Sequence, residues 1–203
     1  MSPSTEPRSR RRRADADRSV AAILDAALDA LAADPEASMV EIASQAGVAR
    51  ATIYMHFPTR DALIDAVTAK AIADATTVIE QAEPERGDPV EALRRVISAA
   101  WQTLSRYHAL VTINTRRPYH EIREHHGPAL AALQPLIERG QHAGAFRADV
   151  PASWHLAMLL ALIHTASGEV RNGTIAENNV ESALLASVIG AVHSPTEAPC
   201  TSG

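Results

Sequence analysis

Hydrophobic residues recur along this chain at the spacing of α-helices. Over residues 20–31 they fall three, four and seven positions apart, which places them on one face of a helix. Similar stripes run through residues 63–79 and 93–104. No segment shows the alternation of a half-buried strand, and the apolar residues are mostly aliphatic, with only 3% aromatics. The pattern predicts an all-α fold.

End signals in residues 38–63 predict a short helix, a tight turn, a second short helix and a longer one. Ser38 and Glu41 have the spacing of a capping box at a helix start. Gly47 allows the positive φ that a tight turn between helices needs. The second helix covers about residues 49–56, and Pro58 ends it. This layout is that of a helix-turn-helix, which places its second helix in the DNA major groove.

The second short helix divides into an inner and an outer face. Ile53 and Phe57 lie four residues apart and are expected to face the core with Val48. The Tyr54 ring can pack while its hydroxyl reaches a phosphate, and Arg60 begins the next helix, where backbone amides favour phosphate. The candidate DNA-binding residues are Arg50, Ala51, Thr52, Tyr54, Met55, His56 and Arg60.

Five more helices are predicted downstream. Asp88 caps the first, which is followed by a short helix near residues 107–115 and by one over 120–143 with a break at Gly127. The fourth spans about residues 153–171. The last is expected to start at a capping box formed by Thr174 and Glu177 and to end near residue 193.

Charge is distributed unevenly along the chain. Residues 1–17 are predicted to be a disordered basic arm, and 194–203 a disordered tail. Six arginines and three acidic residues give residues 1–18 a charge of +3, so the net charge of −5 leaves −8 for the rest. A basic arm on an acidic body suits phosphate contact at one end. The alternative is a solubilising tail.

The C-terminal helices carry the expected effector and dimer sites. Residues 156–163 are apolar on every face, and the last helix has two apolar rows, one for its own core and one for a second copy. A small-molecule pocket would be apolar with a few polar anchors; ordinary core packing is the competing interpretation of the same side chains. The candidate ligand-binding residues are Trp101, Leu104, Tyr107, His108, Val111, Thr112, Tyr119, Trp154, Met158, Leu162 and His164.

Residues 120–126 are the candidate segment for a metal or catalytic site. Three histidines lie there, but His120 and His125 are five positions apart, unlike the H-E-x-x-H pattern of metalloproteases. We therefore expect no metal, no cofactor and no enzymatic activity. The longest strongly apolar run is eight residues, far below the roughly 20 of a membrane span. Cys200 is the only cysteine, which suits a reducing cytoplasm.

Residues 20–67 resemble the N-terminal domain of TetR-family transcriptional regulators. The resemblance implies an all-helical homodimer that represses transcription at a palindromic operator in double-stranded DNA and leaves it when a small effector binds. Two departures are Ala49, where a Ser or Thr cap is common, and Arg60, where Lys is common. The matching pieces are Ile42-Ala43, Ala46-Gly47-Val48, Thr52-Ile53-Tyr54, His56-Phe57 and Thr59-Arg60-Asp61-Ala62-Leu63-Ile64.

The predicted organisation has a three-helix helix-turn-helix domain at residues 18–66 and a larger helical ligand-binding and dimerisation domain at 67–193. The predicted function is ligand-responsive repression by a small apolar or amphipathic molecule. Two alternatives stay open here. One is a helical metal-binding or catalytic protein that uses residues 120–126, and the other is an interaction module that does not read DNA.

Overall fold

A computed structural model describes residues 8–104, 107, 110, 113 and 118–193, with the side chains of 8–14 and 119 left out of the description. Over these residues the chain is helical, and the only β-type pairing is an isolated bridge between Phe146 and His193. The all-α prediction is confirmed. The chain forms two compact units, Met1–Lys70 and Ala71–Gly203.

The N-terminal unit contains helices α1 (Arg8–Ala33), α2 (Met39–Gln45) and α3 (Arg50–His56), together with the start of α4 (Arg60–Gln81). The apolar stripes meet in its core. Among the most deeply buried side chains there are Ile23, Ala27, Leu31, Ile42, Ile53, Leu63 and Val67.

The local signals of the helix-turn-helix act as predicted. The Ser38 hydroxyl accepts from the Glu41 amide while the Glu41 carboxylate accepts from the Ser38 amide, which completes the capping box. Gly47 has a φ of +67° in the turn. Ala49 occupies the N-cap of α3 and offers no side-chain hydrogen bond, while Thr59 caps α4 through the Ala62 amide.

The C-terminal unit contains the remainder of α4 and helices α5 (Pro89–Leu104), α6 (Tyr119–His125), α7 (Gly127–His142), α8 (Ala152–Arg171) and α9 (Glu177–Val192). Helix α9 packs on α8 and α5, and α7 packs on α5 and α8. Deeply buried members of the shared core include Leu93, Ile97, Leu136, Ile137, Phe146, Leu156 and Val188.

The segment between α7 and α8 is held against its neighbours by a buried aromatic side chain and four hydrogen bonds. Phe146 lies directly on Gly140, where a Cβ would overlap its ring. The Gln141 amide donates to the carbonyls of Arg147 and Val150, His155 bonds the same Arg147 carbonyl, and the Arg147 amide donates to Val192. The loop therefore joins the ends of α7, α8 and α9.

Two predictions about element ends need correction. Helix α1 already begins at Arg8, so the disorder predicted for the arm is wrong over residues 8–17, and 1–7 lie outside the described residues. Helix α9 begins at Glu177 with Ala176 at its N-cap and no side-chain cap, so the capping box predicted at Thr174 does not start it. The turn at Gly173, with a φ of +72°, instead lies between the end of α8 and the start of α9.

Other boundaries agree more closely. The break expected at Gly127 is present, since α6 ends at His125 and α7 begins at Gly127. The units divide between Lys70 and Ala71, inside α4, rather than at the predicted 66/67. The helix predicted near 107–115 and the tail at 194–203 fall wholly or mostly outside the described residues. None of the described helices combines the length and apolar character needed to cross a membrane.

Candidate DNA-reading helix and helical ligand unit

Helix α3 separates an inner from an outer face as its sequence predicts. Ile53 is completely buried and Phe57 nearly so, and both belong to the core of the N-terminal unit. Val48 is only half-buried. The inward pair therefore fixes which side of α3 turns outward.

The six candidate DNA-binding residues on α3 are all of its residues except Ile53, and none of them is buried. Arg50, Ala51, Tyr54 and Met55 are exposed, with 70% of the Met55 surface accessible, while Thr52 and His56 are half-buried. Small, hydroxyl, thioether and guanidinium groups on one helical face are the kinds of group that contact base edges and phosphates.

The Arg50 and Tyr54 side chains contact each other one turn apart on α3. The guanidinium carbon lies 5.7 Å from the centre of the Tyr54 ring, a cation–π geometry. This contact lays the arginine along the helix surface. It keeps a positive charge and a phenol hydroxyl together on the face that turns to solvent.

Arg60 lies in a different environment from the other candidates. Its Nε donates to the Ala37 carbonyl at 3.4 Å and one terminal nitrogen donates to the Pro35 carbonyl at 2.5 Å. The guanidinium therefore ties the start of α4 to the loop between α1 and α2. A phosphate contact by Arg60 stays a prediction, and it would have to share the group with these carbonyls.

The candidate ligand-binding residues do not lie in one common environment. Trp101 and Tyr107 are buried, and the Tyr107 hydroxyl lies 2.5 Å from an Asp74 carboxylate oxygen. Trp154 is 61% exposed, so the structure places it on the surface rather than in the wall of an interior pocket. The half-buried candidates are Leu104, Met158, Leu162 and His164. Those outside the described side chains are His108, Val111, Thr112 and Tyr119.

One residue that the ligand-site prediction missed, His126, contacts a predicted one, His164. Their ring centres are 5.2 Å apart with the rings inclined at 66°. Burial lowers the pKa of both imidazoles, that of His164 to about 4, and each is lowered further by a neighbouring imidazole. The sequence placed His126 only in a possible metal cluster, because contact with a residue 38 positions later leaves no local pattern.

The histidines of residues 120–126 do not assemble a metal centre within the described part of the chain. Nδ1 of His125 lies 2.7 Å from the Glu121 carbonyl and Nδ1 of His126 lies 2.8 Å from the Ile122 carbonyl. No group of three or more His, Cys, Asp or Glu side chains is placed there to hold an ion. The metal alternative gains no support from this arrangement.

Helix α9 buries its first predicted row and only part of the second, which consists of Leu185, Ile189 and Val192. Val180, Leu184 and Val188 of the first row are buried, and so is Val192 of the second. Leu185 and Ile189 are half-buried and pack against the same core. Next to this second row, the exposed residues are small: Ser182, Ala186, Ser187 and Gly190. Small exposed residues beside apolar ones allow a second helix to approach closely.

The chain matches two family models that describe the same kind of protein. Residues 23–67 match the family of bacterial regulatory proteins of the tetR type, and residues 89–183 match the tetracyclin repressor-like C-terminal domain. The first match covers the helix-turn-helix and the second covers most of the C-terminal unit.

Two curated relatives are helix-turn-helix regulators. The chain is 29% identical over 152 residues to the transcriptional regulator NfxB of Pseudomonas aeruginosa, covering 71% of this chain and 79% of NfxB. It is 28% identical over 184 residues to the transcriptional repressor LfrR of Mycolicibacterium smegmatis, covering 88% and 93% of the two chains.

Solved structures agree in fold. LfrR in complex with proflavine superposes with a TM-score of 0.65 at 25% identity, over 88% of this chain and 98% of LfrR. FadR of Bacillus subtilis in complex with stearoyl-CoA gives a TM-score of 0.69 at 22% identity, over 85% and 98%, and shows the fold alone.

The matched domains and relatives agree with the helical architecture. The chain is a DNA-binding transcriptional regulator. It belongs to the TetR family of bacterial regulatory proteins.

Proposed function

We propose that this regulator is a repressor and reads its operator with Arg50, Ala51, Thr52, Tyr54, Met55 and His56. The observation that carries the proposal is the burial of Ile53 and Phe57, which leaves Arg50, Ala51, Tyr54 and Met55 exposed and Thr52 and His56 half-buried. Thr52, Ala51 and Met55 suit contacts with thymine methyl groups and base edges. Arg50 and the Tyr54 hydroxyl suit a guanine edge or a phosphate.

Two copies of α3 are needed for this reading. A dimer that reads a palindrome places its recognition helices in adjacent major grooves about 34–36 Å apart. The half-buried Leu185 and Ile189 of α9, flanked by small exposed residues, support a dimer formed by pairing of α9 with its counterpart. We propose that α8 also takes part, with the exposed Trp154 among its contact residues, so that α8 and α9 of the two copies form a four-helix interface.

Release from the operator is proposed to follow effector binding in the C-terminal unit. An effector that prefers a dimer geometry with a different α3 spacing weakens DNA binding, and DNA then weakens effector binding by the same factor. The LfrR structure contains proflavine and the FadR structure contains stearoyl-CoA. A small apolar or amphipathic molecule is the effector class that we propose here.

We also propose how the chain acts and in which compartment. The curated relatives are transcriptional regulators, and we propose that this chain likewise acts by binding and not by catalysis. The proposed compartment is the bacterial cytoplasm, since a repressor must reach the chromosome.

Selection of genomic DNA fragments by the purified full-length protein tests the proposal. We expect an enriched palindromic site whose half-sites are one helical turn apart, with affinity at least about 10³-fold above random duplex. Recovery of no enriched sequence would overturn DNA reading by α3. A site without two-fold symmetry would overturn the dimeric arrangement.

A further inference from the structure

Two imidazoles meet inside the C-terminal unit, far apart in sequence. His126 lies at the junction where α6 ends and α7 begins, and His164 lies in the second half of α8. Their ring centres are 5.2 Å apart in an edge-to-face arrangement, and both side chains are half-buried. Neither residue is fully buried.

The hydrogen bonding of His126 fixes which ring nitrogen carries the proton. Its Nδ1 lies 2.8 Å from the Ile122 carbonyl oxygen. A carbonyl oxygen can only accept, so Nδ1 must donate and the neutral ring keeps its lone pair on Nε2. A neutral His164 ring also has one nitrogen that accepts. The pair therefore presents hydrogen-bond acceptors.

The surroundings keep both rings neutral at physiological pH. Burial is the main cause that lowers the pKa of His126 and of His164, the latter to about 4. The charge effects on the pair come from His125 acting on His126 and from His126 acting on His164. The hydrogen bond to the Ile122 carbonyl acts in the opposite direction and raises the pKa of His126, but burial outweighs it, and no carboxylate of the described residues is among the causes.

A third polar group lies one turn further along α8. Ser167 is fully buried, and its hydroxyl has no hydrogen-bond partner among the described residues. Residues three positions apart on a helix lie on neighbouring parts of one face, so Ser167 and His164 share a side of α8. The adjacent Leu162 and Ile163 pack against the apolar core. Polar groups in such a setting destabilise the protein unless a partner satisfies them.

We propose that His126 and His164 form the polar end of the effector site and accept hydrogen bonds from an N–H or O–H donor on an otherwise apolar effector. This inference rests on the proposed function, because it names the chemistry of the molecule that the C-terminal unit binds. Amines, anilines and phenols on aromatic bodies fit two acceptors within an apolar helical unit. A carboxylate does not fit, because it would meet two lone pairs and no positive charge.

Three small-molecule probes that share a naphthalene ring and differ in one substituent test the proposal directly. Calorimetric titration of the full-length protein with 2-naphthylamine, naphthalene and 2-naphthoate measures what the polar substituent contributes. We expect 2-naphthylamine to bind about 10-fold more tightly than naphthalene, the gain expected for a hydrogen bond made in an apolar site. Naphthoate should bind most weakly of the three.

Substitutions of His164 test whether the preference for 2-naphthylamine over naphthalene depends on the His126–His164 pair. His164→Phe keeps a ring of similar size but removes the acceptor, so the amine should lose its advantage while naphthalene binding is retained. His164→Gln restores an acceptor and should retain part of the preference. His142→Phe is the control for a histidine outside the pair: His142 is exposed, its Nδ1 lies 2.7 Å from the Glu138 carbonyl as that of His126 lies near Ile122, and no imidazole is stacked against it among the described residues.

Several outcomes would overturn the assignment. Naphthoate binding as tightly as 2-naphthylamine, an undiminished amine preference in His164→Phe, or no binding of any probe would each do so. Stoichiometric Zn²⁺ binding that is lost in His164→Phe would instead make the pair part of a metal site. These titrations use no DNA, so their failure is distinct from failure to find an operator.

Discussion

The two units of this regulator differ in how their candidate functional surfaces are made. The proposed DNA-reading face lies on one seven-residue helix, α3, whose orientation follows from two buried residues, Ile53 and Phe57, and a glycine turn. In the C-terminal unit, His126 and His164 come into contact only because α6, α7 and α8 pack together. A surface formed by residues close together in the sequence can be predicted from the sequence alone, whereas a site formed by residues from distant segments cannot.

The largest effect is expected from a charge placed on the reading face. Ala51→Glu should lower operator affinity by at least about 100-fold, because a carboxylate would face the phosphates and acceptor-rich base edges of the groove. Ala51 is exposed, so folding should be unaffected. Fluorescence anisotropy with a labelled operator duplex measures the affinity.

The matched control for that change is Ala32→Glu. Ala32 is also an exposed alanine in a helix of the same unit, but it lies near the end of α1. We expect its operator affinity to stay within about threefold of the parent, since only a distant charge is added. Equal losses in both variants would show that net charge, and not the face of α3, governs binding.

The second effect concerns packing in the C-terminal unit. Gly140→Ala should lower the free energy of unfolding by about 1–3 kcal/mol, because the new methyl group overlaps the buried Phe146 ring. Gly168→Ala is the control: it is a helical glycine with open space at its Cβ position, so the substitution should be neutral or raise stability by up to about 1 kcal/mol. Urea unfolding followed by circular dichroism compares them, and an equal response would contradict the packing account.

The same contrast between local and long-range features explains what could be predicted from sequence. Periodicity indicated the helices, and the Ser38 box, the Gly47 turn and the Asp88 cap lie where expected, because each depends on residues within one turn. The predicted start of α9 is wrong, since Thr174 and Glu177 satisfy a capping pattern that the backbone does not use.

Long-range contacts account for the remaining differences in the candidate sites. Nothing near Arg60 in the sequence indicates that its guanidinium meets the Pro35 and Ala37 carbonyls. The exposure of Trp154 and the contact of His126 with His164 likewise depend on how separate helices pack. Aromatic or histidine content alone could not separate pocket, core and surface positions.

A smaller effect is expected at the caps that orient the helix-turn-helix. Ser38→Ala should lower the free energy of unfolding by about 1 kcal/mol, and Ala49→Ser should raise it by a similar or smaller amount by supplying the cap that α3 lacks. Urea unfolding at pH 7 measures both. A destabilising Ala49→Ser would mean that the α3 N-terminus cannot accommodate a capping hydroxyl.

The Ser38 effect should also depend on pH. Hydrogen bonds from Ser38 lower the pKa of Glu41, so this stabilisation is present at neutral pH and is lost as pH falls through the folded-state pKa. The difference between Ser38→Ala and the parent should therefore narrow on acidification below about pH 4. A constant difference from pH 7 to pH 3 would argue against the carboxylate's part in the cap.

The smallest effect at fixed salt is expected from the arginine-rich start of α1. Replacing Arg10, Arg11 and Arg12 by Gln should reduce the slope of log affinity against log salt by about 0.9 for each phosphate that is no longer neutralised by an arginine. Anisotropy titrations at several salt concentrations give the slope. An unchanged slope would make the segment a spectator in DNA binding.

The most direct test of the central claim compares the DNA sequences selected by the parent protein and by an Arg50→Gln, Thr52→Ala double variant. Arg50 is exposed and Thr52 is only half-buried, so neither belongs to the buried core that Ile53 enters, and the variant should fold and dimerise normally. We expect the two proteins to enrich different half-site bases, or the variant to lose enrichment altogether. Recovery of the same site with the same enrichment by both proteins would contradict the reading of DNA by this face.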